Sequence, residues 1–218
     1  MPNERTARII TICALAVAAN MLLILLRHFL WVPLFLDTVF TVAVTFAMGL
    51  FPGILVAVLT WLADGLLPFN VQPFHPFVLV AIAEVIVVYL LRPTKTEGQI
   101  PTYHRFQTPQ MRDKRMVFII DICLRLIVVY IACVLAVSAV GGVIDVLYHT
   151  VGGAERPPYV GLNALRMAFL YNGVPVLLAN IFSRIQITMI DRFVVIFGGY
   201  LASLAIRLAW KIESRLAT

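Results

Sequence analysis

The sequence predicts an all-α integral membrane protein of six transmembrane helices, with a re-entrant or broken helical segment before the last span. Three observations carry that class. Of 218 residues 61% are hydrophobic and 13% charged, and the mean hydropathy is +0.96; this is more apolar surface than a soluble core of that length absorbs. The apolar residues fall in long runs instead of alternating ten-residue segments, which argues against an outer-membrane barrel. The positive charges gather between those runs, so topology accounts for the net charge of +6 better than nucleic-acid binding does. With the chain committed to spans, no soluble catalytic domain is expected.

The first span is expected over 8–31. It is a retained span and not a signal peptide, because no small-residue cleavage site follows it. Within it Ala14 and Ala18, four residues apart, lie on one small-residue face, which suits either close packing within the protein or docking of a partner helix. Arg27, His28 and Trp31 mark the far interface. The second and third spans, 35–50 and 52–67, are joined at a Gly49–Gly53 corner with Pro52 in the first turn of the third. At 1.5 Å per residue each barely crosses a hydrocarbon core of about 30 Å. Asp37-Thr38 opens this hairpin and Asp64 closes it. Carboxylates at the ends of an apolar hairpin are costly in lipid and call for a functional reason.

The fourth span, 73–91, carries Glu84 in its interior, where it either lines the floor of a pocket or pairs with a neighbouring helix. The stretch 92–115 is the one long polar loop. Its six Lys/Arg residues, Arg92, Lys95, Arg105, Arg112, Lys114 and Arg115, make it cytoplasmic by the positive-inside rule. The fifth span, 116–140, holds Asp121 and Arg125 one turn apart, a spacing that lets the two charges pair. Gly141-Gly142 is expected to open a polar loop reaching Tyr159. The segment 162–183 is apolar enough to cross but contains Asn163, Arg166, Asn172, Gly173, Pro175 and Asn180. It is therefore a full span or a broken, partly re-entrant helix. The last span, 188–208, is expected to start at Asp191-Arg192, where the acid also suits a helix N-terminus.

Charge counting chooses six crossings over seven. With six, Arg5, Arg8, the six loop cations, Arg207, Lys211 and Arg215 face the cytoplasm, and Arg27, Arg156, Arg184 and Arg192 face outward. Both termini are then cytoplasmic and the protein is a multi-pass protein of the inner membrane.

No catalytic constellation is present, so the chain is not expected to be an enzyme. The histidines His28, His75, His104 and His149 lie in loops or at span ends and give a metal no clustered ligands, and no cofactor is implied. The cysteines Cys13, Cys123 and Cys133 fit small core residues. The unusual polar groups instead collect toward the outer face. Asp37, Thr38, Asp64, Asn172, Asn180, Asp191 and Arg192, with Glu84 deeper, are the candidates for a small-molecule pocket.

The chain resembles the substrate-binding S components of energy-coupling factor (ECF) transporters, of the Phe-Leu-Asp-Thr type. The resemblance rests on Phe35-Leu36-Asp37-Thr38 with Gly49, Pro52 and Gly53, on Gly141-Gly142-Val143, on Asp191-Arg192 where that subgroup is expected to carry Asp-Lys, and on the Ala14–Ala18 face. It implies a six-helix subunit of an ECF-type ABC importer that captures a vitamin or related micronutrient outside. Its first helix, through Ala14 and Ala18, docks on a membrane T component coupled to a pair of cytoplasmic ATPases. The same domain type also fronts signalling kinases. A membrane-embedded sensory module acting with a separate signalling partner is therefore the alternative function.

Overall fold

The computed structural model describes residues 4–30, 36–67, 76–93, 109–147 and 160–216. Every element among them is helical. Helix α1 (Glu4–Leu30) is followed by a 3-10 turn (Leu36–Thr38), α2 (Val39–Met48), α3 (Leu50–Gly65), α4 (Val78–Leu91), α5 (Pro109–Asp145), α6 (Val160–Tyr171) and α7 (Val176–Leu216). Three of them, α1, α5 and α7, are long and apolar enough to cross a membrane. The 3-10 turn with α2, α3 and α4 form shorter apolar helices.

Helix α2 is the centre of the bundle. All six residues from Thr41 to Phe46 are buried, as expected of a helix apolar on every side. On one side Val42 and Phe46 join Val88 of α4, Leu126, Val129 and Cys133 of α5, and Val195, Ile196 and Tyr200 of α7. On the other, Val44 packs with Cys13 and Ala16 of α1 and Val56 of α3. Outside this core the arrangement inverts that of a soluble protein: Leu15, Leu22, Leu124, Leu135, Ile190 and Leu201 are exposed while Glu84, Asp191 and Arg192 are buried. An apolar exterior around a charged interior suits lipid as the solvent.

Glycines set how closely the helices approach. Gly49, at φ +104°, breaks the chain between α2 and α3 in a backbone region that side chains disfavour. The break leaves the Phe46 carbonyl outside the helical ladder, and the Arg207 guanidinium of α7 donates to it. A Cβ on Gly53 would stand 2.2 Å from Thr45 Oγ1, so α2 packs closely on α3. One on Gly199 would stand 2.8 Å from Val42 Cγ1 and 3.0 Å from the Val39 carbonyl, which brings α7 directly against α2.

Several expected boundaries are corrected. Gly141-Gly142 does not open a loop: both are helical within α5, which continues to Asp145. They permit contact, since a Cβ would meet Arg184 Nη1 at 2.9 Å from Gly141 and the Ile181 backbone nitrogen at 3.0 Å from Gly142. Residues 148–159 of that expected loop lie outside the described residues. The 162–183 segment is broken, as one of the two readings had it. Helix α6 ends at Asn172-Gly173, where Gly173 takes φ +77°. Pro175 then precedes a new helix, and its carbonyl accepts from the Ala179 N–H. That helix runs without interruption to Leu216, so Asp191-Arg192 is not the head of the last span but lies four turns inside α7. The polar residues Asn180 and Ser183 do not stop the helix, because their side chains bond carbonyls of its own backbone. Helix α5 reaches back to Pro109, a residue tolerated in a first turn, ahead of its apolar part, which starts at Val117. Cys13 and Cys133 are buried, but Cys123 is exposed on the apolar surface of α5 and is not a core residue.

Candidate functional site: a buried charge cluster

The sequence supplies three ionisable side chains to the interior of the bundle. Arg192 is 3% exposed, Asp191 1% and Glu84 0%. Isolated charges at this depth are prohibitively costly, and they persist only by pairing. Arg192 organises the pairing. Its Nε and Nη2 donate to Asp191 Oδ2 at 3.0 and 2.5 Å. Its Nη1 donates to Thr38 Oγ1 at 3.0 Å and makes an ion pair with Glu84 Oε2 across to α4. A guanidinium suits this role because its planar fork reaches several acceptors in fixed directions. Asp37, half-buried and next to Thr38, acts electrostatically on all three charges.

The fold brings these groups together from three separate segments. The 3-10 turn holds Thr38 at the start of α2, and the close Gly199 contact keeps α7 against that end of α2. Core residues Val88, Val129 and Val195 close α4, α5 and α7 below the charges. The cluster remains incompletely satisfied: Asp191 Oδ1 and Glu84 Oε1 are buried with no hydrogen-bond partner. Of the two roles open to Glu84, the pairing one is realised, since it contacts the guanidinium of a neighbouring helix.

Other expected site residues lie apart from this cluster. Asn172 is exposed at the end of α6, and its side-chain amide donates to the Ala168 carbonyl at 2.8 Å, so it closes a helix. Asn180 is buried near the start of α7 and bonds the Val176 carbonyl. Asp64 is half-buried in the last turn of α3 and is not among the partners of Arg192 named above. Ala14 and Ala18 are exposed on α1, while Cys13, Ala16 and Asn20 of the same helix turn inward. Asp121 and Arg125 pair as their spacing predicts, at 2.9 Å on the surface of α5.

Two polar constellations escaped the sequence reading. Asn20 is fully buried. Its Oδ1 accepts the Phe40 N–H at 3.0 Å, and its Nδ2 donates to Thr41 and Thr60 at 2.9 and 3.3 Å. One amide thereby ties α1 to both α2 and α3. Its signal was a lone asparagine in an apolar run. The second is Arg184, which donates from Nε and Nη2 to the two carboxylate oxygens of Asp145 at 2.7 and 2.8 Å. Its guanidinium also lies 5.0 Å from the Phe77 ring centroid. This bidentate pair joins the ends of α5 and α7.

Comparison with known protein families, with curated proteins and with solved structures finds nothing that matches this chain.

Proposed function

We propose that the chain is the substrate-specific membrane subunit of an ECF-type importer, holding a small solute near the outer end of a six-helix bundle. The observation that carries this reading is the Thr38–Glu84–Asp191–Arg192 cluster. A charged network buried in an apolar-faced bundle is costly, and such groups mark solute or ion sites in membrane proteins. In this reading α1, α2, α3, α4, α5 and α7 each cross, α6 stays at the outer surface, and both termini face the cytoplasm of an inner membrane. The turn carrying Asp37 and Thr38 then lies toward the outside, as uptake requires. The exposed Ala14 and Ala18 leave one face of α1 open to a T component joined to a pair of ATPases.

Purification of tagged protein from its host tests the proposal. A T-like membrane protein and ATPases are expected to accompany it, and the A14L/A18L double variant is expected to lose them while still eluting as a monodisperse species. Recovery of neither companion overturns the importer reading. Recovery of a signalling kinase in their place establishes the alternative, a membrane sensory module.

A further inference from the structure

The arginine at the centre of the cluster invites the idea of an anionic solute, yet its donors are already committed. Nε, Nη1 and Nη2 all point at Asp191, Thr38 or Glu84. The uncommitted groups are acceptors: Glu84 Oε1 and Asp191 Oδ1, on side chains 0% and 1% exposed by residue, have no hydrogen-bond partner. Formal charge points the same way. Two buried carboxylates face one guanidinium, and Asp37 adds a third negative charge to the same field. An anion would meet net repulsion and no free donor, whereas a cation would find two vacant lone-pair directions in a low-dielectric interior. Among the described residues no group of three or more His, Cys, Asp or Glu side chains could hold a metal ion. A compact cation with directed N–H donors therefore fits better than a metal.

We propose that Glu84 and Asp191 receive a positively charged nitrogen of the solute, and that Arg192 is a fixed brace holding the two carboxylates and not the receptor of an anionic group. This rests on the solute-binding reading above and names the chemical class of the solute.

The test uses the full-length protein in detergent and follows its thermal unfolding midpoint. Ethylammonium chloride, sodium propionate and sodium chloride are titrated at matched ionic strength. The first two probes are similar in size and opposite in charge. Ethylammonium is expected to raise the midpoint by a few degrees and to saturate, while propionate tracks sodium chloride. In E84Q and D191N the apparent affinity for ethylammonium is expected to fall about tenfold or more, as loss of a charge-assisted bond implies. D121N, altered on the outer surface of α5, is expected to respond like the parent. A saturable response to propionate, a response to sodium chloride equal to that of ethylammonium, or no saturable response to ethylammonium overturns the proposal. The parent titrations decide it even if a variant fails to fold. Failure is also separable from that of the importer reading: T component and ATPases recovered without an ammonium response leave an importer of a different solute.

Discussion

Arg192 differs from an ordinary structural arginine because removing it leaves two carboxylates buried among apolar side chains. Breaking a buried ion pair from one side costs about 3–5 kcal/mol, chiefly the desolvation of the charge left behind. Arg192→Met is therefore expected to lower the thermal midpoint sharply. Arg192→Met combined with E84Q and D191N is expected to recover much of the loss, because no net charge then remains in the cluster. Equal destabilisation of the single and triple variants would show that packing around Arg192, and not charge, sets the penalty. Asn20 offers the neutral counterpart. Asn20→Ala removes the acceptor of the Phe40 N–H and the donor to two threonine hydroxyl oxygens where α1 meets α2 and α3. The expected cost is about 1–3 kcal/mol, the usual penalty for unsatisfied buried groups. Thr60→Val, which deletes only the longest of the three bonds, is expected to cost less, as equilibrium unfolding in mixed detergent would reveal.

At the scale of the helices, α2 and α7 carry the arrangement, and Gly199 is the point where they touch. A methyl there would stand 2.8 Å from Val42 Cγ1 and 3.0 Å from the Val39 carbonyl, so α7 must move away from α2. Gly199→Ala is expected to destabilise by about 1–3 kcal/mol through overpacking. Because Arg192 lies two turns along the same helix, the variant is also expected to weaken ethylammonium binding without touching the cluster. Unaltered binding in a destabilised variant would mean that the α2–α7 contact does not set the cluster geometry. The same helices show which parts of the fold were legible in the sequence. The hairpin at Gly49 was legible because glycine followed by Pro52 leaves few alternatives to a break. Glu84 stood out because a charge inside an apolar run is costly, whereas Asp191 and Arg192 were noticed as a polar pair but placed at a span head. The glycines at 141 and 142 misled because turn chemistry and close helix contact call for the same residue, and only the partner helix distinguishes them. The start of α7 was hidden for a related reason. Asn180, Ser183 and Arg184 resemble a polar boundary until their partners, some on α5, become visible. The meeting of α4 with α7 through Glu84 and Arg192 depends on tertiary topology, which no local pattern encodes.

For the whole molecule, the number of times the chain crosses turns on its short helices. Length alone marks α1, α5 and α7 as spans, while the 10-residue α2, extended by the 3-10 turn, reaches only about 20 Å at 1.5 Å per residue. The burial of its six middle residues changes what that shortness means. A helix whose middle is enclosed by protein need not match the hydrocarbon thickness, because its ends can be met by side chains of its neighbours. Arg207 does this at one end by donating to the Phe46 carbonyl, and Asn20 does it at the other by accepting the Phe40 N–H. Six crossings therefore require no six full-length spans, only a short central helix capped by polar groups from α1 and α7. This arrangement predicts a sidedness that can be measured. In a background with Cys13, Cys123 and Cys133 replaced, single cysteines at Gln99 and Ser214 are expected to react with a membrane-impermeant maleimide only after the cytoplasmic face is opened. A cysteine at Leu66, exposed at the end of α3, is expected to react from outside in intact spheroplasts. If Leu66 and Ser214 label from the same side, the chain crosses an even number of times between α3 and the C-terminus, where six spans require three. The end of the bundle bearing Asp37 would then lose its assignment to the outer face.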